Sequence, residues 1–200
     1  MTGVMTNKRR PARSLATLLL ALGVVACASE PVSITKPQMF GRYSTTEVQW
    51  GTGDGRDFWV VVRNNPYNMT QEELDRTVVD SIQNKITYMI TNFTTTPGED
   101  ARRQYRVEFM FDPPDNVSGR TLCDTRLTLP PPEPQKNRTV VLGAFCLRDL
   151  RLTEARATSS NAPPGSKRYE FLYTQLIRSI LPFVDQTREG RKCRPPTVCM

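Results

Sequence analysis

Hydrophobic and polar positions alternate along Tyr43–Trp50. Thr46, Val48 and Trp50 fall on one side and Thr45, Glu47 and Gln49 on the other, the period of a half-buried strand. Phe58–Arg63 (FWVVVR) is nearly continuous in β-branched and aromatic residues, which predicts a buried strand. Between them lies GTGDGRD, residues 51–57. A phosphate loop needs a helix after it, and a calcium loop needs more oxygen ligands than Asp54 and Asp57 supply. The stretch therefore reads as a hairpin connection.

Thr70-Gln71-Glu72-Glu73 has the form of a capping box. Leu74, Val78, Ile82, Ile86, Met89, Ile90 and Phe93 follow at three- and four-residue spacing, so one helix is expected over 70–93. Tyr105, Val107, Phe109 and Phe111 then alternate with Arg106, Glu108, Met110 and Asp112, the clearest strand period in the chain. Further strands are expected near Gly119–Leu129 and Thr139–Thr153, with 156–168 as a polar loop. Helical spacing returns at Leu172, Leu176, Ile177, Ile180 and Leu181, and Pro182 stops it. This order predicts an α+β fold, a two-layer domain with a mostly antiparallel sheet. Helices 70–93 and 168–182 would pack on one face.

The N-terminal pattern is of another kind. Lys8–Arg13 is basic, Leu15–Ala26 is apolar and small residues follow, the layout of a secretory signal. Twelve apolar residues are too few to cross ~30 Å of hydrocarbon as a helix. Val24-Val25-Ala26-Cys27 resembles the lipobox of bacterial lipoproteins. The resemblance implies cleavage before Cys27, acylation of that residue and anchoring firmer than a single acyl chain gives. Ala28, Ser29 and Glu30 follow with no aspartate, which resembles outer-membrane sorting with the domain facing the periplasm. Cleavage after Ala28 is the alternative and would leave a soluble periplasmic protein. The chain thus divides into a signal (1–26), a tether (27–41), a globular domain (42–185) and a basic, cysteine-containing tail (186–200).

Export changes how the charge is read. The formal +7 comes from 27 basic and 20 acidic residues, and four of the basic ones (Lys8, Arg9, Arg10, Arg13) leave with the signal. All of the remaining excess sits in the tail from Arg188, so the domain is neutral and no nucleic-acid partner is expected. Cys123, Cys146, Cys193 and Cys199 remain after Cys27, an even number suited to disulfides in an oxidising compartment. They lack close CxxC pairs and the chain has no histidine, so neither zinc nor another metal or cofactor is expected. Placing Leu129 opposite Val140 in a hairpin pairs Leu127 with Leu142 and Thr125 with Ala144. It also brings Cys123 opposite Cys146, within disulfide reach. Cys193 and Cys199 would then close a small ring around Pro195-Pro196.

Three function classes follow. The first is a lipid-anchored envelope protein with a structural, assembly or binding role, its partners the membrane through Cys27 and an envelope protein. The element order also resembles that of small bacterial lipoproteins built from a sheet and two helices, accessory subunits of envelope assembly machines among them. The second class is a soluble small-ligand-binding module using the aromatic group Trp50, Phe58, Trp59 and Tyr67. The third is a hydrolase using carboxylates such as Asp112 and Asp115, since no histidine is present for a Ser-His or Cys-His nucleophile. The first class is the expectation, and the protein is not expected to be an enzyme.

Overall fold

The computed structural model describes residues 32–53 and 55–184, so Cys27 and the Cys193–Cys199 pair lie outside the described residues. The expected α+β class is the observed one, a seven-stranded mixed sheet with helices. In chain order the elements are β1 (Ser33–Ile34), β2 (Gln38–Met39), α1 (Thr45–Thr52), β3 (Asp57–Arg63), α2 (Gln71–Ile82) and β4 (Asn92–Thr94). β5 (Tyr105–Phe111), α3 (Gly119–Cys123), β6 (Arg138–Leu147), β7 (Leu150–Ser160) and α4 (Lys167–Ile180) complete it. The strand order is β1-β7-β6-β5-β3-β4, with β2 also on β7. Pairing is mostly antiparallel, but β3 runs parallel to both β4 and β5. Chain travel through α2 carries β3 to β4 at one edge, and β5 then returns to the other side of β3.

The main core lies between the sheet and α1, α2 and α4. Tyr105, Val107, Phe109 and Phe111 of β5 face it, with Leu74, Val78 and Ile82 of α2 and Leu172, Tyr173 and Leu176 of α4. Thr70 caps α2 in a complete capping box with Glu73. Ser166 caps α4 by accepting from the Tyr169 N–H at 3.1 Å. Gly143 of β6 lets α4 approach, since a Cβ there would come 3.1 Å from Leu176 Cγ.

Several expectations are corrected. Residues 45–52 are helix α1 rather than strand, because Ser44 accepts from the Glu47 N–H and starts a helix. The 51–57 stretch therefore closes a helix and opens β3, whose neighbours are parallel, so it is no hairpin turn. Helix α2 stops at Ile82, where Asn84 adopts φ 59° just beyond the Gln83 cap, a left-handed stop. Phe93 belongs to β4. Gly119–Leu129 holds α3 and a loop, and Thr139–Thr153 is split into β6 and β7 by the turn at Arg148-Asp149. β7 runs on to Ser160, through much of the expected loop. Part of the expected tether, Ser33–Ile34 and Gln38–Met39, pairs along β7 as edge strands.

Candidate binding surface

The starts of β3, β4, β5 and β7 and the end of β6 lie at one end of the sheet, by the pairing register. Helix α1 sits there because Gly51 lies flat on Tyr105. A Cβ at Gly51 would come 2.7 Å from Tyr105 Cγ. Val48 and Thr52 are turned into the protein, which leaves Trp50 outward and 62% exposed. The Trp50 carbonyl accepts from Arg102 Nη1 at 2.6 Å, fixing the 95–104 loop beside it. Gly55, at φ 71°, donates from its N–H to the Ile90 carbonyl at 3.2 Å. That bond holds Ile90 next to α1 with 80% of its surface exposed.

Trp50, Tyr88, Met89 and Ile90 line one shallow depression of about 410 Å³, and Trp50, Arg56 and Arg102 line a second of about 250 Å³. Phe183, also exposed, packs its ring 5.6 Å from that of Tyr88. Tyr88 donates to the Leu181 carbonyl at 2.9 Å, and burial pushes its pKa up to about 12. Tyr105 is also pushed up to about 12, by burial and then by its hydrogen bond to Glu47. Asp57 is held low by the Gly98 N–H and Asn92 amide donated to it. Glu47, Asp57 and Asp149 are thus engaged within the fold. Arg56, Arg102, Arg103 and Arg148 make no ion pair within 4.0 Å among the described residues. The result is an apolar ledge flanked by guanidinium groups without an ion pair among the described residues, those of Arg102 and Arg103 held by the Trp50 and Pro97 carbonyls.

The residues singled out from the sequence are dispersed. Phe58 is core, stacked on Phe93 at 5.4 Å, and Tyr67 packs on Phe111 and Tyr169. Trp59 faces the other side of the sheet, 6.0 Å from the Arg106 guanidinium, so the four aromatics form no common platform. Asp112 is buried, whereas Asp115 is fully exposed and 3.8 Å from Arg156, so the two form no acid–base pair. Cys123 and Cys146 are joined, with Cα atoms 5.4 Å apart. The expected hairpin register is absent, because Cys123 ends α3 and Cys146 pairs with Arg106 and Arg151 instead. No group of three or more histidine, cysteine, aspartate or glutamate side chains could hold a metal among the described residues. Ile90 was missed as surface because its spacing continues the α2 stripe. The signal that could have placed α1 is Ser44-Thr45-Thr46-Glu47, a second capping-box sequence.

No family model matches this chain, and no curated protein matches it. Among solved structures it is similar to the PelC dodecamer from Paraburkholderia phytofirmans. A point variant of that protein in space group C2 is 9% identical with a TM-score of 0.44, covering 76% of this chain and 98% of that one. The space group P6 form is 8% identical with a TM-score of 0.43, covering 76% and 99%. Likeness at this level identifies no family and carries no argument about function.

Proposed function

We propose that this chain is a lipid-anchored envelope protein that binds an envelope protein partner through the Trp50–Ile90 end of its sheet, in a structural or assembly role. The observation that carries the reading is the outward display of Trp50 and Ile90 beside Arg56 and Arg102, which make no ion pair among the described residues. Tryptophan and arginine in such a setting are the residue types that dominate protein–protein contacts. The lipobox at Val24–Cys27 supplies the anchor. Geometry supports the division of labour. The chain enters the sheet at Ser33 opposite Thr158, at the far end of β7 from the Trp50 ledge. Six residue steps lead from Cys27 to Ser33 and reach at most ~20 Å, about the length of β7 between Thr158 and Arg151. An anchored domain therefore presents its ledge away from the lipid.

Two measurements test this. Cys27→Ser should release the protein from membranes or leave the precursor uncleaved; normal processing and membrane fractionation would refute the anchor. A photo-crosslinking residue at position 50 or 90 should yield one discrete protein adduct in cells. The same residue at Phe171, also exposed but near the start of α4 at the other end of the sheet, where Tyr169 packs on Tyr67, should yield none. Equal labelling at all three positions would refute the surface.

A further inference from the structure

At the opposite end of the sheet, where the parallel strands β3 and β5 finish, the backbone takes three turns that L-residues rarely adopt. Asn64, Asp112 and Asn137 have φ of 61°, 46° and 56°. Each is tied in place. Asn64 Nδ2 donates to the Phe111 carbonyl at 3.0 Å. Asp112 donates from its N–H to the Val140 carbonyl at 2.9 Å, and its own carbonyl accepts from Glu133 at 2.9 Å. The Asn137 carbonyl accepts from the Asn161 N–H at 3.1 Å. Left-handed residues held this firmly concentrate at ligand clamps.

Between these turns opens a cavity of about 320 Å³, lined by Tyr67, Asp112, Gln135, Asn137, Arg138 and Asn161 among others. The volume suits a small ligand, and the crevice beyond the carboxyl ends of parallel strands is where open sheets accept one. Two of the lining groups are already used. The Tyr67 hydroxyl donates to the Ala162 carbonyl at 3.0 Å, and Thr139 Oγ1 accepts from the Ala162 N–H at 3.0 Å. Others are free. Asp112 is only 6% exposed, yet no cation pairs with it within 4.0 Å among the described residues. Burial raises its pKa, opposed only by the Val140 backbone. Arg138 is exposed at the rim, likewise without an ion pair among the described residues.

A buried carboxylate with no counter-ion favours a cationic group over a neutral one. An anion would meet Asp112, a simple cation would meet Arg138, and a sugar would leave the carboxylate uncompensated. A molecule with both charges answers both groups. We propose that this cavity binds a small zwitterion of the α-amino acid class, its ammonium on Asp112 and its carboxylate on Arg138. The site is separate from the Trp50 ledge and either can fail without the other.

Amide NMR of the processed full chain, titrated with L-alanine, methylammonium, acetate and glucose, tests the assignment. L-Alanine should give saturable shifts at Asp112, Asn137 and Asn161, with methylammonium and acetate at least about tenfold weaker, the scale of one charge-assisted hydrogen bond. Asp112→Asn keeps a residue that tolerates the left-handed backbone while removing the charge. It should weaken L-alanine at least about tenfold with the remaining spectrum unchanged, and Arg138→Ala should do the same. No saturable shift with L-alanine, or glucose binding that survives Asp112→Asn, would overturn the proposal.

Discussion

Strand β5 sends Tyr105, Val107, Phe109 and Phe111 toward the helices α1, α2 and α4, and Arg106, Glu108 and Met110 toward α3. The first side is closed by two amphipathic helices and a continuous aromatic cluster, in which Phe109 meets Tyr173 edge-on at 5.2 Å. The second has a five-residue helix and a long loop for cover. There Glu108 takes Arg106 at 2.5 Å and Arg63 at 3.1 Å. The Arg106 guanidinium also donates to the carbonyls of Arg148 at 2.8 Å and Cys123 at 2.7 Å. The Cys123–Cys146 bridge lies beside it, since Cys146 is the β6 partner of Arg106. A long helix can close a face with apolar area alone. Where the cover is short, ions bonded to one another and to backbone carbonyls, with a covalent link, perform the same task.

The largest effect should separate the faces by pH. All six tyrosines, Tyr43, Tyr67, Tyr88, Tyr105, Tyr169 and Tyr173, belong to the helix-side cluster and none to the other. Burial raises the pKa of each, to about 12 for Tyr88 and Tyr105. The Tyr169 and Tyr173 hydroxyls are buried with no hydrogen-bond partner among the described residues, so neither has support for a negative charge. The folded state therefore retains protons that the unfolded chain releases near pH 10. Stability is full below pH 10 and is lost as pH rises through 10 toward 12. Tyrosinate absorbance and near-ultraviolet circular dichroism should change together in one cooperative step. Stepwise ionisation with the aromatic dichroism intact would break the distinction between the faces.

The next effect belongs to the α3 side. Glu108→Gln leaves the 4%-exposed Arg106 without a counter-charge, and should cost about 3–5 kcal/mol in urea unfolding. Replacing both, Arg106→Met with Glu108→Leu, should cost far less, because the second charge is then no longer stranded. Equal losses in the single and double variants would mean that the ions are not a coupled unit.

The same contrast explains what the sequence disclosed. α2, α4 and the β5 period were legible because one side of each is apolar and its partner face is extended. The α3 side was not, since Arg106 and Glu108 carry the chemistry of exposed residues and are buried only by mutual pairing. α1 was misread because its eight residues are too few for period alone to distinguish 2 from 3.6, so only the Ser44 cap could decide. Asp112 ends the β5 alternation as a polar position of the kind that faces solvent, yet it is buried, as are Pro113 and Pro114 beside it. Ile90 had the spacing of core and the location of surface, a difference set by where Asn84 ends the helix.

The smallest of the three effects concerns the bridge. Cys123 and Cys146 close a loop of 23 residues, and releasing that constraint should cost about 3 kcal/mol through the unfolded chain's entropy. Cys123→Ala with Cys146→Ala tests this without placing a new polar group in a fully buried site. The register of β6 should survive. It is paired with β5 from Tyr105↔Leu147 to Phe111↔Val141 and with β7 along its whole length, so the bridge is not what fixes it. Loosening should instead be confined to α3 and the loop after it, whose remaining ties to the sheet include the Arg106 bond to the Cys123 carbonyl. Hydrogen exchange should therefore accelerate at 119–135 and stay slow across β5 and β6. Accelerated exchange spread equally over the α2 and α4 side would show that the two faces are one cooperative unit, in which apolar cover and covalent cover cannot be exchanged separately.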